Sequence, residues 1–291
     1  MTSGQQKEYV KGLRRIGQFL RKPSHEKAKW LNQKWREAVS RLPKPVRLPF
    51  GALFLSRNDA LGFNLQIFET RELEFAERFL QPGMTVLDIG ANQGLYTLLA
   101  SQRVGSRGRV FAFEPSPRER RALRLNVLVN LCRNVTIESA ALGNEEGYSE
   151  LYLVDGPETG CNSLRPPVLM EGSSRPVRVP ITRLDRWLCE HKIERVDFIK
   201  LDVEGAELSV LRGATDLLNR NPRPVILAEV AKIRTAPWGY HAGEIVSTLQ
   251  CVGFCWFEIA ADGSLFPIRR IADTEMNLVA IPKERVNQVL Q

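Results

Sequence analysis

The sequence has little histidine, three residues in 291, and its five cysteines are odd in number, scattered and without a C-x-x-C pair. That excludes a disulfide-stapled scaffold or a cysteine-built zinc module, and free thiols in a reducing compartment fit best. Cys251 and Cys255, set among Val252, Phe254 and Trp256, are expected to pack as small apolar groups rather than hold metal. No stretch approaches the ~18 apolar residues of a membrane span. Lys11, Arg14 and Arg15 interrupt the first twenty residues, where a secretory leader is apolar. A cytoplasmic protein is the expectation, and internal repeats are missing too. Nor is there basic excess in the body: 13 of the 41 Lys/Arg but only 3 of the 33 acids fall in the first 47 residues. A near-neutral body lacks the distributed basic surface of a nucleic-acid binder, so no nucleic-acid partner is expected.

The basic segment has its own pattern. Tyr9, Leu13, Ile16 and Leu20 fall on one stripe of a helix, and Leu31, Trp35, Ala38 and Leu42 on another. Three prolines in "LPKPVRLP" then end helix and mark a boundary. Two domains are read: a helical arm over 1–48 and a main domain over 49–291. The arm is either a basic amphipathic element that meets an anionic membrane or an acidic partner, or a layer docked on its own domain.

From Pro49 onward, short apolar runs alternate with helical stretches. "TVLDIG", "GRVFAFE", "NVTIES", "VDFIKLD" and "PVILAEV" are the runs; 95–103, 117–130 and 206–219 are the helices. That rhythm predicts a parallel sheet covered on both faces, with ligands at the carboxyl ends of the strands. Residues 143–184 break it with "SELYLV" and "RPVRVPI" around a Gly/Pro/Ser-rich middle, an inserted β-hairpin whose long loop is placed to act as a lid. "CVGFCWFEIA" and "EMNLVAIP" are expected as two final strands joined at "ADGS".

"VLDIGANQGLYTLLA" is a strand, a glycine turn and a helix, without the G-x-G-x-x-G dinucleotide spacing. Gly90 and Gly94 let backbone approach a ligand closely. Asp88 narrows the choice, because two like charges ~4 Å apart near a surface cost about 4 kcal/mol, which would disfavour a pyrophosphate. A ligand with a cationic end and no phosphate, such as S-adenosylmethionine, avoids that cost. Glu114 at the tip of the next strand is placed to accept hydrogen bonds from ribose hydroxyls, and Ser139 and Ala140 at the third would lie beside adenine. Asp88 or Glu114 alone would equally suit a helix cap or a solvated strand end.

Together with "ALGNEEG" and "DFIKLDVEGAELSVLRGA", these motifs resemble, in order and spacing, the FkbM family of S-adenosylmethionine-dependent methyltransferases over residues 65–260. The resemblance implies an α/β, Rossmann-like class I methyltransferase fold: a seven-stranded, mainly parallel sheet with one antiparallel strand. It also implies methylation of hydroxyl groups on sugars, glycans or natural products. Carried over by position, Asp88, Gly90, Asn92 and Gly94 match the cofactor loop and Glu114 the ribose acid. "IFETRE" makes Glu69 and Thr70 cofactor neighbours, and Asn162 and Ser163 match a polar spot in the inserted loop.

The stretch "FIKLDVEGAE" carries the expected chemistry, because in this fold its strand ends beside the transferable methyl group. Alternation puts Lys200 and Asp202 on one side. Asp202 is the expected base or holder of a divalent cation, Lys200 tunes its charge, and Glu204 orients the acceptor. Against this stands a purely structural Lys200–Glu204 pair. Glu207 is expected only to favour the following helix dipole. His241 is a second candidate base, and a cation bridging Asp202, Glu229 and His241 is kept as an alternative without a diagnostic spacing.

Overall fold

The computed structural model describes residues 44–56, 70–156, 159–168, 172–268 and 276–290. The expectations for the arm therefore lie outside the described residues but for its last few positions, and so does Glu69.

A small two-stranded sheet, β1 (Lys44–Arg47) and β2 (Leu53–Ser56), precedes helix α1 (Thr70–Phe79). The alternating core follows as β3 (Thr85–Ile89), α2 (Leu95–Val104), β4 (Arg109–Phe113), α3 (Pro117–Val129) and β5 (Val135–Glu138). After the insertion come α4 (Leu184–Glu190), β9 (Phe198–Leu201), α5 (Glu207–Arg212), α6 (Thr215–Asn219) and β10 (Val225–Val230). The chain closes with α7 (Lys232–Thr235), α8 (Gly243–Cys251), β11 (Phe254–Ile259), β12 (Leu265–Pro267), β13 (Met276–Pro282) and α9 (Val286–Val289).

The main sheet has the order β12-β11-β13-β10-β9-β3-β4-β5. Strands β5, β4, β3, β9 and β10 are mutually parallel, and β13 runs antiparallel between β10 and β11. The seven strands expected are present, and β12 adds an eighth at the edge. The "ADGS" turn pairs β11 with β12 instead of joining it to the last strand, because Gly263 at φ 77° and the Ala260 N–H to Ser264 carbonyl bond close a tight hairpin there. The helix expected over 206–219 is broken. Gly213 approaches the Gly143 carbonyl so closely that a Cβ would lie 2.0 Å from it, and α6 restarts with the Asp185 carboxylate accepting the Asp216 and Leu217 N–H groups.

Strand alternation sorts the core into two layers. Leu87, Ile89, Ile199, Leu201, Ile226 and Ala228 face α4, α5 and α8, while Val86, Phe198, Val225, Leu227 and Val279 face α1 and α2. Asp88 and Lys200 sit opposite each other in register, on the α1/α2 face. A polar stripe therefore replaces apolar residues where β3 and β9 reach their carboxyl ends.

The insertion is built on β6 (Ala141–Gly143), β7 (Gly147–Asp155) and β8 (Ser173–Arg183), a three-stranded sheet in which β8 is central. It has its own core of Ala141, Leu151, Leu153, Val179 and Ile181. Arg118 at the start of α3 anchors its tip, donating to the Asp155 carboxylate at 2.9 Å and to the carbonyls of Val154 and Thr159 at 2.9 and 3.3 Å.

Candidate cofactor and acceptor site

Strand order reverses at β3, so the loops after β3 and β9 diverge and leave a crevice. A pocket opens there, lined by Asp88, Gly90, Asn92, Gln93, Glu114, Ala140, Asn162, Lys200, Asp202 and Glu204, among others. Gly90, at φ 86°, is required by contact with the neighbouring loop: a Cβ on it would fall 1.7 Å from the Asp202 carbonyl oxygen. Gly94 meets the helix behind, where a Cβ would lie 2.6 Å from a Leu123 methyl. Asn92 adopts φ 50°, a left-handed conformation asparagine tolerates, and its N–H donates to Glu114 Oε2 at 2.7 Å.

Asp88 is 2 % exposed and accepts the Thr97 hydroxyl at 2.5 Å. Burial outweighs that bond and the Lys200 charge, pushing its pKa up to about 6. Glu114 accepts the Ser116 and Asn92 N–H groups through its two oxygens, and burial pushes it to about 8. A carboxylate oxygen has two lone pairs, so Glu114 can still accept from a ligand.

Lys200, 2 % exposed, donates to Asp202 Oδ2 at 3.1 Å and to Asn277 Oδ1 at 3.3 Å, with its ammonium 5.1 Å from the centre of the Tyr96 ring. Glu204 ion-pairs with Arg234 at 2.9 Å. Glu204, at φ 54°, and Gly205, at φ 99°, make the turn after β9. Glu207 departs from expectation. It is 1 % exposed, and Oε1 accepts the Val203 and Gly205 N–H groups at 3.0 and 3.3 Å, so it clamps the turn from beneath. Burial pushes its pKa to about 7.

Glu229, next to last in β10, is in register with Asn277. Burial and the neighbouring Asp202, Glu204 and Glu207 carboxylates hold its pKa well above the ordinary range. His241 is exposed before α8, where its N–H donates to Glu244 at 2.9 Å, and it does not line the pocket. Among the described residues no three His, Cys, Asp or Glu side chains come together to hold a metal, so the Asp202, Glu229 and His241 set is not assembled. Ser139 is exposed and outside the lining that includes Ala140; Thr70 is exposed at the start of α1, also outside it. Asn162 lines the pocket and accepts the Val154 N–H at 2.9 Å, and Ser163 donates its hydroxyl to the Glu204 carbonyl at 2.7 Å.

Sequence reasoning missed Asn277, Tyr96, Thr97, Arg118 and Arg234. The first and last reach the site from strands and helices far along the chain, and no local pattern marks them.

Asp88, Glu114 and Glu207 hold protons more readily in the folded chain than at their ordinary values of 3.8, 4.5 and 4.5. Their contribution to stability is full below about pH 4 and is lost as pH rises through 6 to 8, because the unfolded chain then binds fewer protons than the folded one. The ligand-free protein is expected to melt at a lower temperature at about pH 8 than at about pH 5. Glu114→Gln should flatten that slope in thermal melts; an unchanged slope would remove Glu114 as its source.

The pocket offers acceptors. The Asn92 and Gln93 side-chain oxygens are buried there without a hydrogen-bond partner, and Asp88 and Glu114 add two carboxyl groups. A ligand carrying an ammonium, ribose hydroxyls and an adenine amino group supplies the donors these atoms need, so the residues fit S-adenosylmethionine.

A sheet that reverses its strand order where such an acceptor-rich pocket opens places this chain among the class I S-adenosylmethionine-dependent methyltransferases. Within that class it belongs to the FkbM family, whose methyltransferase domain model matches residues 88–254. The chain is 28% identical over 270 residues to 31-O-demethyl-FK506 methyltransferase FkbM of Streptomyces tacrolimicus, covering 83% of this chain and 98% of that one. It is 31% identical over 207 residues to the AMB antimetabolite synthetase AmbE of Pseudomonas aeruginosa, covering 60% of this chain but only 10% of that protein's length. The crystal structure of methyltransferase FkbM from Methylobacillus flagellatus aligns with a TM-score of 0.41 at 14% identity, over 76% of this chain and 54% of that one.

Proposed function

We propose that this enzyme methylates a hydroxyl oxygen on a sugar, glycan or secondary metabolite, with Asp202 as the proton acceptor. The observation that carries the assignment is the setting of Asp202. Among the acids lining the pocket, Asp88 is bonded to Thr97, Glu114 to the backbone of Asn92 and Ser116, and Glu204 to Arg234. Asp202 accepts from Lys200 and keeps 30% of its side chain open. The Streptomyces relative, by its name, methylates an oxygen, which supports the same choice.

Bound S-adenosylmethionine supplies an electrophilic methyl carbon and a neutral thioether leaving group. The chain's residues have two tasks. Asp88, Glu114 and the Asn92–Gly94 loop fix the donor end, and the 202–205 turn with Asn162 of the insertion fixes the acceptor side. Orientation of this kind is worth roughly 7–11 kcal/mol, more than the ~10²–10⁴-fold of a general base. Asp202 takes the hydroxyl proton as the oxygen–carbon bond forms, and Lys200 holds the carboxylate in place.

The test is a panel of hydroxylated acceptors, each paired with its amine counterpart, followed by S-adenosylhomocysteine release and product mass and NMR spectra. Methyl ethers are expected. A methyl group on nitrogen or carbon, with the hydroxyl compounds inert, would overturn the oxygen assignment while leaving the methyltransferase class intact.

A further inference from the structure

Helix α3 presents a second surface that has no part in the pocket. Leu123 and Asn126 are buried against the domain, and Asn126 and Asn130 accept the Leu55 and Leu53 N–H groups of β2. The opposite side is exposed and apolar: Leu125 is 36%, Leu128 68% and Val129 39% exposed, and Leu131 in the following turn reaches 75%. A helix with an apolar outer stripe as well as a buried inner one is unusual in a water-facing layer.

The helix end sharpens the point. The Cys132 N–H bonds the Val127 carbonyl and the Leu131 N–H the Leu128 carbonyl, the Schellman pattern in which glycine normally takes the left-handed position. Here that position is Leu131, at φ 54°. A branched side chain is thus held outward in a conformation glycine would adopt without strain.

The charges around these leucines have one sign. Between residues 117 and 133 the single acid is Glu119, buried and bonded to Ser116 and Arg118. Arg121, Arg124 and Arg133 are exposed and form no ion pair among the described residues. A second copy docked by two-fold symmetry on this face would set arginine against arginine. A nucleic-acid backbone would satisfy the arginines but gain nothing from the leucines. A surface that is anionic outside and apolar just beneath satisfies both.

We infer that this face of α3 docks on an anionic lipid surface, Leu128 and Leu131 entering the headgroup–acyl boundary and Arg121, Arg124 and Arg133 meeting lipid phosphates. The pocket meets the inner side of α3, where the Asn126 amide donates to the carbonyl of pocket-lining Gln93, whereas the leucines and arginines lie on the outer side. The face differs from the basic arm.

The experiment is co-sedimentation of the full chain with vesicles of phosphatidylcholine alone and of phosphatidylcholine with phosphatidylglycerol. Wild type is expected to pellet with the anionic vesicles only. Leu128→Asp with Leu131→Asp, and separately Arg121→Glu with Arg124→Glu, should each lower partitioning at least ~10-fold. S-adenosylmethionine binding by calorimetry should be unchanged in both, which shows the fold intact. Four results would overturn the inference: no partitioning of wild type; leucine variants that pellet like wild type, placing any binding in the arm or in charge alone; dimers by light scattering that the leucine variants abolish; or leucine-dependent capture of an acidic peptide with no lipid binding.

Discussion

Gly90→Ala is expected to abolish measurable S-adenosylmethionine binding and to lower the melting temperature sharply. The added Cβ would sit 1.7 Å from the Asp202 carbonyl oxygen and 2.8 Å from its carbon, and neither is the free end of a side chain that can swing aside. Relief requires β3 and β9 to move apart where Asp88 and Lys200 lie in register. The substitution thus strikes the donor loop and the proposed base together. Gly239→Ala is the control. Gly239 also has a positive φ, 73°, but a Cβ there meets nothing within 4 Å, so the loss should be about 1–2 kcal/mol of backbone strain with binding retained. Calorimetry and thermal melts on both variants check the pair. Equal behaviour would show that backbone conformation, not the close approach, makes Gly90 necessary.

Asp202→Asn is expected to lower kcat by about 10²–10⁴-fold while leaving S-adenosylmethionine affinity within a few fold. Asparagine keeps the size of the side chain and can still accept the Lys200 hydrogen bond, but it cannot take the acceptor's proton. Single-turnover rates across pH separate the possibilities, because loss of a general base removes a rate dependence on its ionisation. Full turnover with the wild-type pH profile would show that orientation alone suffices and that Asp202 only holds Lys200.

The sheet was legible because its strands are continuous apolar runs closed by glycine turns; "TVLDIG" and "PVILAEV" carry that pattern whole. Asp88, Gly90, Asn92 and Glu114 were legible for a related reason: each lies within one strand–turn–helix unit whose spacing is local. The rest of the site depends on contacts across the sheet. Lys200 and Asp202 share a side by alternation, so their pairing followed from the sequence, but Asn277 reaches Lys200 from β13, 77 positions away. Glu204 reads from the sequence as a partner for Lys200, and the structure adds an ion pair with Arg234. The turn behind that pair, with φ 54° at Glu204 and 99° at Gly205, is not one that propensity predicts. His241 was conspicuous in the sequence because histidine is scarce, and the structure places it exposed before α8, outside the pocket lining.

The insertion meets the 202–205 turn through the Ser163 hydroxyl on the Glu204 carbonyl, yet it carries its own apolar core. That combination makes it an exchangeable cassette. A chimaera receiving the β7–β8 segment of another family member is expected to keep its fold, provided the graft retains a hydroxyl at position 163 and a docking partner for Arg118.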